Sequence, residues 1–392
     1  MAERQKNTRE TWITGIGIVS CLGEGLDAHW QGLNAAPPAA DATSFAPYIV
    51  HRIVPLEMDK QIPKKGDQRQ MEPWQRIGTY AAGLALDSAG VKAKPEFLSR
   101  MDMIVAAGGG ERDAQVDLNV AANVDKAAKA EAFVNERLMS DLRPTLFLAQ
   151  LSNLLAGNIS IVHGVTGSSR TFMGEESAGV EAVRVAHARI QAGQSDLALV
   201  GGAYNAERWE VMLHFALGRR LARGEAKPVW ERGGMELGTI GAFLVLEEKG
   251  HAERRGATPF ARIAAVASDH VKRTPGAVTG ALERMWGAIA PQLDAAQAAV
   301  ISGASGVAPA TEEERAFLNR QNLAVRATGT HLGHGLEPQF PANIALAAAA
   351  LRAGRLYPGG ASEQAMDSGL KQVAVTSVGH WRGEGLALVE AV

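Results

Sequence analysis

The residues best placed to do chemistry lie in the stretch 168–203, SSRTFMGEESAGVEAVRVAHARIQAGQSDLALVGGA. Arg170 to Met173 reads as a short approach strand and Gly174 as a tight turn. Val180, Val183, Ala186 and Ile190 then recur at the three-to-four spacing of one helical face, so a helix opens at about Glu176. A buried strand, Asp196 to Val200, follows it. A turn that sets one side chain on a helix N-terminus surrounds it with free backbone N–H groups, which stabilise a thiolate, an alkoxide or a carboxylate. The side chains delivered here are Glu175, Glu176 and Ser177: two acids and a hydroxyl, with no thiol.

The elements that must hold this turn follow from the patterning on either side. Thr11 to Val19 is a β-branched, glycine-punctuated strand, and a helix follows around Asp27 to Leu33. Residues 36–70 have little periodicity and read as a surface excursion. A helix from about Pro73 to Ala89 leads to a buried strand, Asp102 to Ala107, and then to three glycines. The charged, alanine-rich segment 111–141 reads as helical, also outside the core. The run Thr145 to Ile161 is too apolar to face solvent throughout and belongs in a core or against another subunit. Further strands are predicted at Ala242 to Leu246, Phe260 to Ala267, Ala298 to Ile301, Leu323 to Thr328, Gln372 to Ser377 and Leu386 to Val389, with a helix from about Pro341 to Arg352. The second part echoes the first once and at domain scale, which predicts two similar α/β halves, 1–250 and 251–392, with a site where the two helix-opening turns meet.

Bulk properties narrow the functions. The chain has 392 residues, 46% hydrophobic and 21% charged, with a net charge of −2 and no dense Lys/Arg block. Nucleic acid and anionic membranes are therefore excluded as principal partners. No run approaches the length of a membrane span, and the polar start MAERQKNTRE lacks the apolar core of a signal sequence, which predicts a cytoplasmic protein. The one cysteine, Cys21, rules out an intrachain disulfide and a cysteine metal cluster. Neither the GHG at 333–335 nor the GGG at 108–110 has Walker spacing or a full dinucleotide fingerprint, so no cofactor or metal is expected.

Several motifs then resemble one family in order along nearly the whole chain. NLLAGNISIVHGVTG (153–167) is similar to the NMAAGHISIxYGLKGP segment of the type II β-ketoacyl-acyl-carrier-protein synthases of the thiolase superfamily. TGIGIVSCLGEGLDAHW (14–30) is similar to their TGLGVVSPLGxGxxxxW opening. Lys227-Pro228, Gly238 and Leu244 to Glu248 match their RPFD…LGEGAGxLVLEE stretch. VISGASGVAPATEEE (300–314) and the segment 327–358 resemble VNAHGTSTPxND and the STKSMTGHLxGAAG helix. The resemblance implies a five-layered αβαβα thiolase-like fold, a dimer, and acyl chains carried by acyl carrier protein.

It also implies a degenerate site. Relatives carry a nucleophilic cysteine, two histidines and a lysine; the aligned positions here are Glu176, Ala304, His334 and Gly329, so only the second histidine is kept. Cys21 falls in the opening turn, where it cannot replace the nucleophile. The C-terminal NSFGFGGTN becomes TSVGHWRGE (376–384), which puts His380 and Trp381 into a loop that usually holds a phenylalanine gate, where the pair is expected to fill the acyl pocket. The pattern resembles the chain-length-factor subunits that pair with a competent ketoacyl synthase. Three readings follow: a condensation-incompetent partner subunit, in a heterodimer or a homodimer; residual malonyl decarboxylation or 3-oxoacyl synthesis through Glu176 and His334; and, because EESAG (175–179) comes near the GESAG elbow of carboxylesterases, a serine hydrolase acting through Ser177. For Glu176 itself, a charge at a helix start that bridges to His334 stands against a part in substrate chemistry.

Overall fold

The computed structural model describes residues 9–142, 150–360 and 363–392. Its ten main strands are β1 (Thr11–Ser20), β2 (Asp102–Ala106), β3 (Ser169–Phe172), β4 (Leu197–Tyr204), β5 (Ile240–Glu248), β6 (Ala261–Asp269), β7 (Ala298–Ser302), β8 (Ala324–Ala327), β9 (Gln372–Val378) and β10 (Glu384–Glu390). All ten residues of β1 are buried, as its Ile/Val/Thr-rich sequence requires of a strand covered on both faces. The sheet runs β8-β7-β9-β10-β6-β1-β5-β4-β2-β3, with the ribbon Gly23–Glu24 paired to the end of β1.

The halves are built alike. Counted along the chain, each set of five strands takes the spatial order third, second, fourth, fifth, first. In each set the first three strands of that order pair in parallel, and the remaining two junctions are antiparallel. The sets join through a short antiparallel contact between Thr11–Ile13 and Ala261–Ile263. The repeat is thus one of topology.

Helices supply the other layers. α1 (Pro73–Ser88) starts at Pro73 behind a Glu72/Gln75 capping box, which fixes where it begins. It packs with α2 (Leu154–His163) on the first set of strands. α5 (Ala277–Ile289) and α6 (Ala310–Gln321) cover the second set. Between the sets lie α3 (Glu176–Gln191) and α7 (Gln339–Ala353), in one apolar cluster with strands of both. α7 is buried from Gln339 through Leu351; its alanines let it sit between the two sets of strands, as a helix apolar on nearly all sides requires. The layers are therefore α, β, α, β, α, as the resemblance implies. No described helix is long and apolar enough to cross a membrane.

One segment differs from expectation. The excursion 36–70 is anchored: Val50–His51 pairs in parallel with Leu237–Gly238, and Phe45, Ile49, Val50 and Ile62 are buried. Of the apolar run 145–161, residues 145–149 lie outside the described residues. The remainder is split, with Leu155, Ala156 and Ile159 in the core while Leu151 and Ile161 are exposed. The segment 111–141 forms helices Ala114–Asn123 and Ala130–Asp141, in which Val116 is the one buried side chain.

Candidate functional site

The approach strand β3 ends at Phe172, and the chain turns through Gly174 at φ 134° and Glu175 at φ 58°, ψ −134°. The second is a left-handed conformation that costs a glutamate of order 1–3 kcal/mol and persists only where the surroundings enforce it. It sets Glu176 as the first helical residue of α3, 1% exposed. The Ser177 hydroxyl donates to the Gly174 carbonyl at 2.6 Å and closes the turn.

Two other segments bring histidines to Glu176. His334 is held by its backbone: its N–H donates to the Glu236 carbonyl at 2.8 Å, and its carbonyl accepts from Gly238 N–H at 3.0 Å. His380 lies in the turn between β9 and β10, which closes through Gly379 N–H to the Gly383 carbonyl and is gripped by Arg273, bonded to the Gly379 carbonyl and paired with Glu384. A Cβ on Gly383 would come 2.5 Å from the Ser177 Cβ, so glycine is what lets this turn lie against the start of α3. Glu176 Oε1 then accepts three hydrogen bonds, from His334 Nε2 at 2.7 Å, His380 Nδ1 at 2.8 Å and His380 N–H at 3.1 Å. From the sequence, Glu176 and His334 are expected together and His380 as pocket filling, whereas His380 is bonded to the same carboxylate.

The electrostatics follow from this arrangement. Complete burial would push the Glu176 carboxyl up, but the nearby His380 charge and the hydrogen bonds from both histidines outweigh it and hold the group well below the usual carboxylate range. Burial likewise pulls His380 down, and the Glu176 and Glu175 charges more than reverse it, leaving the imidazole raised. Glu175 is raised by burial, as is Glu337 near it, whose carboxyl reaches about 7. The centre is an ionised carboxylate under two imidazoles, a device that stores charge and orients rings. It contains no nucleophile able to carry an acyl group as a thioester.

The other expected positions are placed as follows. Ala304 is buried, its N–H donating to the Ser302 hydroxyl. Gly329 accepts from Arg232 Nη2 at 3.0 Å, so a buried guanidinium paired with Glu236 approaches the position at which the resemblance implies a lysine. Arg232 escaped the sequence reading because nothing local links 232 to 329. Cys21 donates its thiol to the His331 carbonyl at 3.2 Å, and burial raises it to about 11, which keeps it protonated. Ser177 faces Gly174, while the histidines of the site engage Glu176, an arrangement that offers the hydroxyl no base. Trp381 corrects the expectation for the aromatic pair: it is 54% exposed, stacked under Arg220, and fills no pocket. Glu175, Glu176 and His380 have ligand atoms within 4.8 Å of one another, a spread that could admit a cation; binding one would compete with the hydrogen bonds already made to Glu176 Oε1.

The family described as "Beta-ketoacyl synthase, N-terminal domain" matches residues 8–252. A 3-oxoacyl-[acyl-carrier-protein] synthase 2 of Vibrio harveyi is 25% identical over 268 residues, 65% of this chain and 61% of that protein. The chain thus spans about three fifths of that relative's length. The actinorhodin polyketide putative beta-ketoacyl synthase 2 of Streptomyces coelicolor is 26% identical over 379 residues, 88% of this chain and 86% of that one. Among solved structures, the ishigamide ketosynthase/chain length factor superposes with a TM-score of 0.77 at 18% identity, over 98% of this chain and all of that one. A beta-ketoacyl synthase from Burkholderia phymatum gives 0.73 at 18% over the same shares. At these identities the two structures establish the shared thiolase-like ketosynthase fold.

Proposed function

The chain belongs to the β-ketoacyl synthase family, and from that membership we propose that it is a condensation-incompetent subunit which pairs with a cysteine-bearing ketoacyl synthase in fatty-acid or polyketide-type elongation on acyl carrier protein. The observation that supports this reading is Glu176, aligned by the resemblance with the nucleophile, buried, and held ionised by three hydrogen bonds. Attack by a carboxylate on an acyl thioester would give an anhydride, which lies uphill of the thioester, and the bound anion would repel a malonyl carboxylate. Cys21, neutral and turned to a backbone carbonyl, cannot substitute. Pairing is supported by β3, an edge strand of the sheet that leaves Ser169 and Arg170 exposed, with Met173 exposed just beyond it.

Co-expression with a Cys-His-His synthase from the same source should yield a stable one-to-one complex by native mass spectrometry, with condensation abolished by removing the partner's cysteine and kept in Glu176→Gln. A stable homodimer that never takes up a synthase would overturn the reading. So would acyl transfer to the isolated chain, detected as a covalent adduct in intact-mass spectra.

A further inference from the structure

The helix α4 (Trp209–Leu217) packs into the protein through Met212 and Phe215, which are buried, and leaves another side free. Trp209, Leu213 and Leu217 recur every fourth residue along that free side and are 56%, 60% and 77% exposed. Phe45 backs the Trp209 ring, with centroids 4.9 Å apart. Three large apolar side chains in one exposed stripe mark a surface used for contact. Directly beyond the helix the chain turns cationic: residues 218–227 carry Arg219, Arg220, Arg223 and Lys227 against the single acid Glu225. Arg219 and Arg223 line an open hollow of about 410 Å³ with Ala216 of α4 and Tyr48, whose hydroxyl accepts from Arg223 Nη2 at 3.1 Å. Neither arginine is ion-paired among the described residues, and Arg220 sets its guanidinium over the exposed Trp381 ring, 4.9 Å away.

The two features narrow the partner together. An apolar stripe alone would suit a groove on another protein, and arginines alone would suit any anion. Leucine and tryptophan on one face, with unpaired cations at its end, are the composition of elements that lie in the interface of an anionic bilayer. The relief points the same way. The three apolar side chains project from the helix, and the hollow beside them is walled by other residues, so a protein partner would need a matching groove where a fluid surface needs none. The net charge of −2 that speaks against an anionic membrane as principal partner averages the whole surface, whereas adsorption depends on the face presented. We propose that α4 and the arginines after it form a docking face for an anionic lipid bilayer, with Leu213 and Leu217 entering the acyl boundary and Arg219 and Arg223 holding lipid phosphates. This is attachment to a surface, since α4 has nine residues and no described helix is long and apolar enough to span. The inference goes beyond the partner reading and is tested on the isolated chain, so either can fail alone.

Flotation of the full-length protein with phosphatidylcholine vesicles containing about a third phosphatidylglycerol should give a partition coefficient at least tenfold above that for pure phosphatidylcholine. Added salt should lower it, because exposed arginines act through a screened field. Leu213→Gln with Leu217→Gln, and separately Arg219→Gln with Arg223→Gln, should each reduce the coefficient at least tenfold. All four side chains are exposed, so both double variants should melt as the wild type does, which separates lost binding from lost fold. Lipid brominated in its acyl chains should quench more tryptophan fluorescence in the wild type than in Trp209→Phe. Equal partition onto neutral and anionic vesicles, no partition onto either, or partition unchanged in either double variant would overturn the proposal. Retention on immobilised acyl carrier protein that Leu213→Gln with Leu217→Gln abolishes, with no vesicle binding, would assign the face to a protein and overturn it as well.

Discussion

Glu176 makes the start of α3 a place that stores a charge. Its three hydrogen bonds mean that truncation strands two buried imidazoles, so Glu176→Ala should cost about 3 kcal/mol in urea unfolding, within the range for breaking a buried charged cluster. The pH dependence has a definite sign. The depressed Glu176 contributes stability above its unfolded value near 4.5, lost as pH falls through its folded value; the raised His380 contributes below its unfolded value near 6.5, lost as pH rises through its folded value. The stability gap between the wild type and Glu176→Gln should therefore be wider at pH 6 than at pH 9. Equal gaps in chemical unfolding at the two pH values would show that His380 carries no charge opposite Glu176.

At the scale of elements, the site depends on how closely α3 and α7 approach. A Cβ on Gly179 would fall 2.2 Å from the Glu337 carbonyl, a backbone atom at the start of α7 that cannot swing aside. Gly179→Ala should force the two helices apart at a cost of about 1–3 kcal/mol, as overpacking does, and should loosen Glu176 from His334. Circular dichroism melts and the histidine ring resonances would register both effects. α6 carries another buried acid, Glu314, whose Oε1 accepts from Ser302 and Thr376 hydroxyls and whose carboxyl burial raises to about 7. A raised carboxyl stabilises below its unfolded value near 4.5 and loses that contribution as pH climbs through 7. Glu314→Gln should thus flatten the fall in melting temperature between pH 5 and pH 8, and an unchanged fall would assign it to other groups.

At the scale of the whole molecule, α3 and α7 belong to both sets of strands at once. Neither half owns the central layer, so the boundary near 250 that divides the repeated topology should not divide the folding unit. A fragment ending at residue 250 keeps α3 but lacks α7 and the second set of strands, and should fail to give a cooperative unfolding transition, while the full chain gives one. A soluble, cooperatively folding fragment would show the halves to be independent.

The strands, the turn at Gly174 and the helix after it were legible in the sequence, because periodicity, glycine punctuation and capping act between near neighbours. Family motifs extended that to the order of the elements. The rest was decided by tertiary structure. His334 and His380 stand 158 and 204 positions from Glu176, yet all three share one oxygen atom. Arg232 reaches Gly329 across 97 residues. Local patterns show which side chains leave a turn. Only the packing of two sets of strands about two central helices fixes which side chains they meet, since hydrogen bonds and charges act over a few ångströms of space, whatever the length of chain between them.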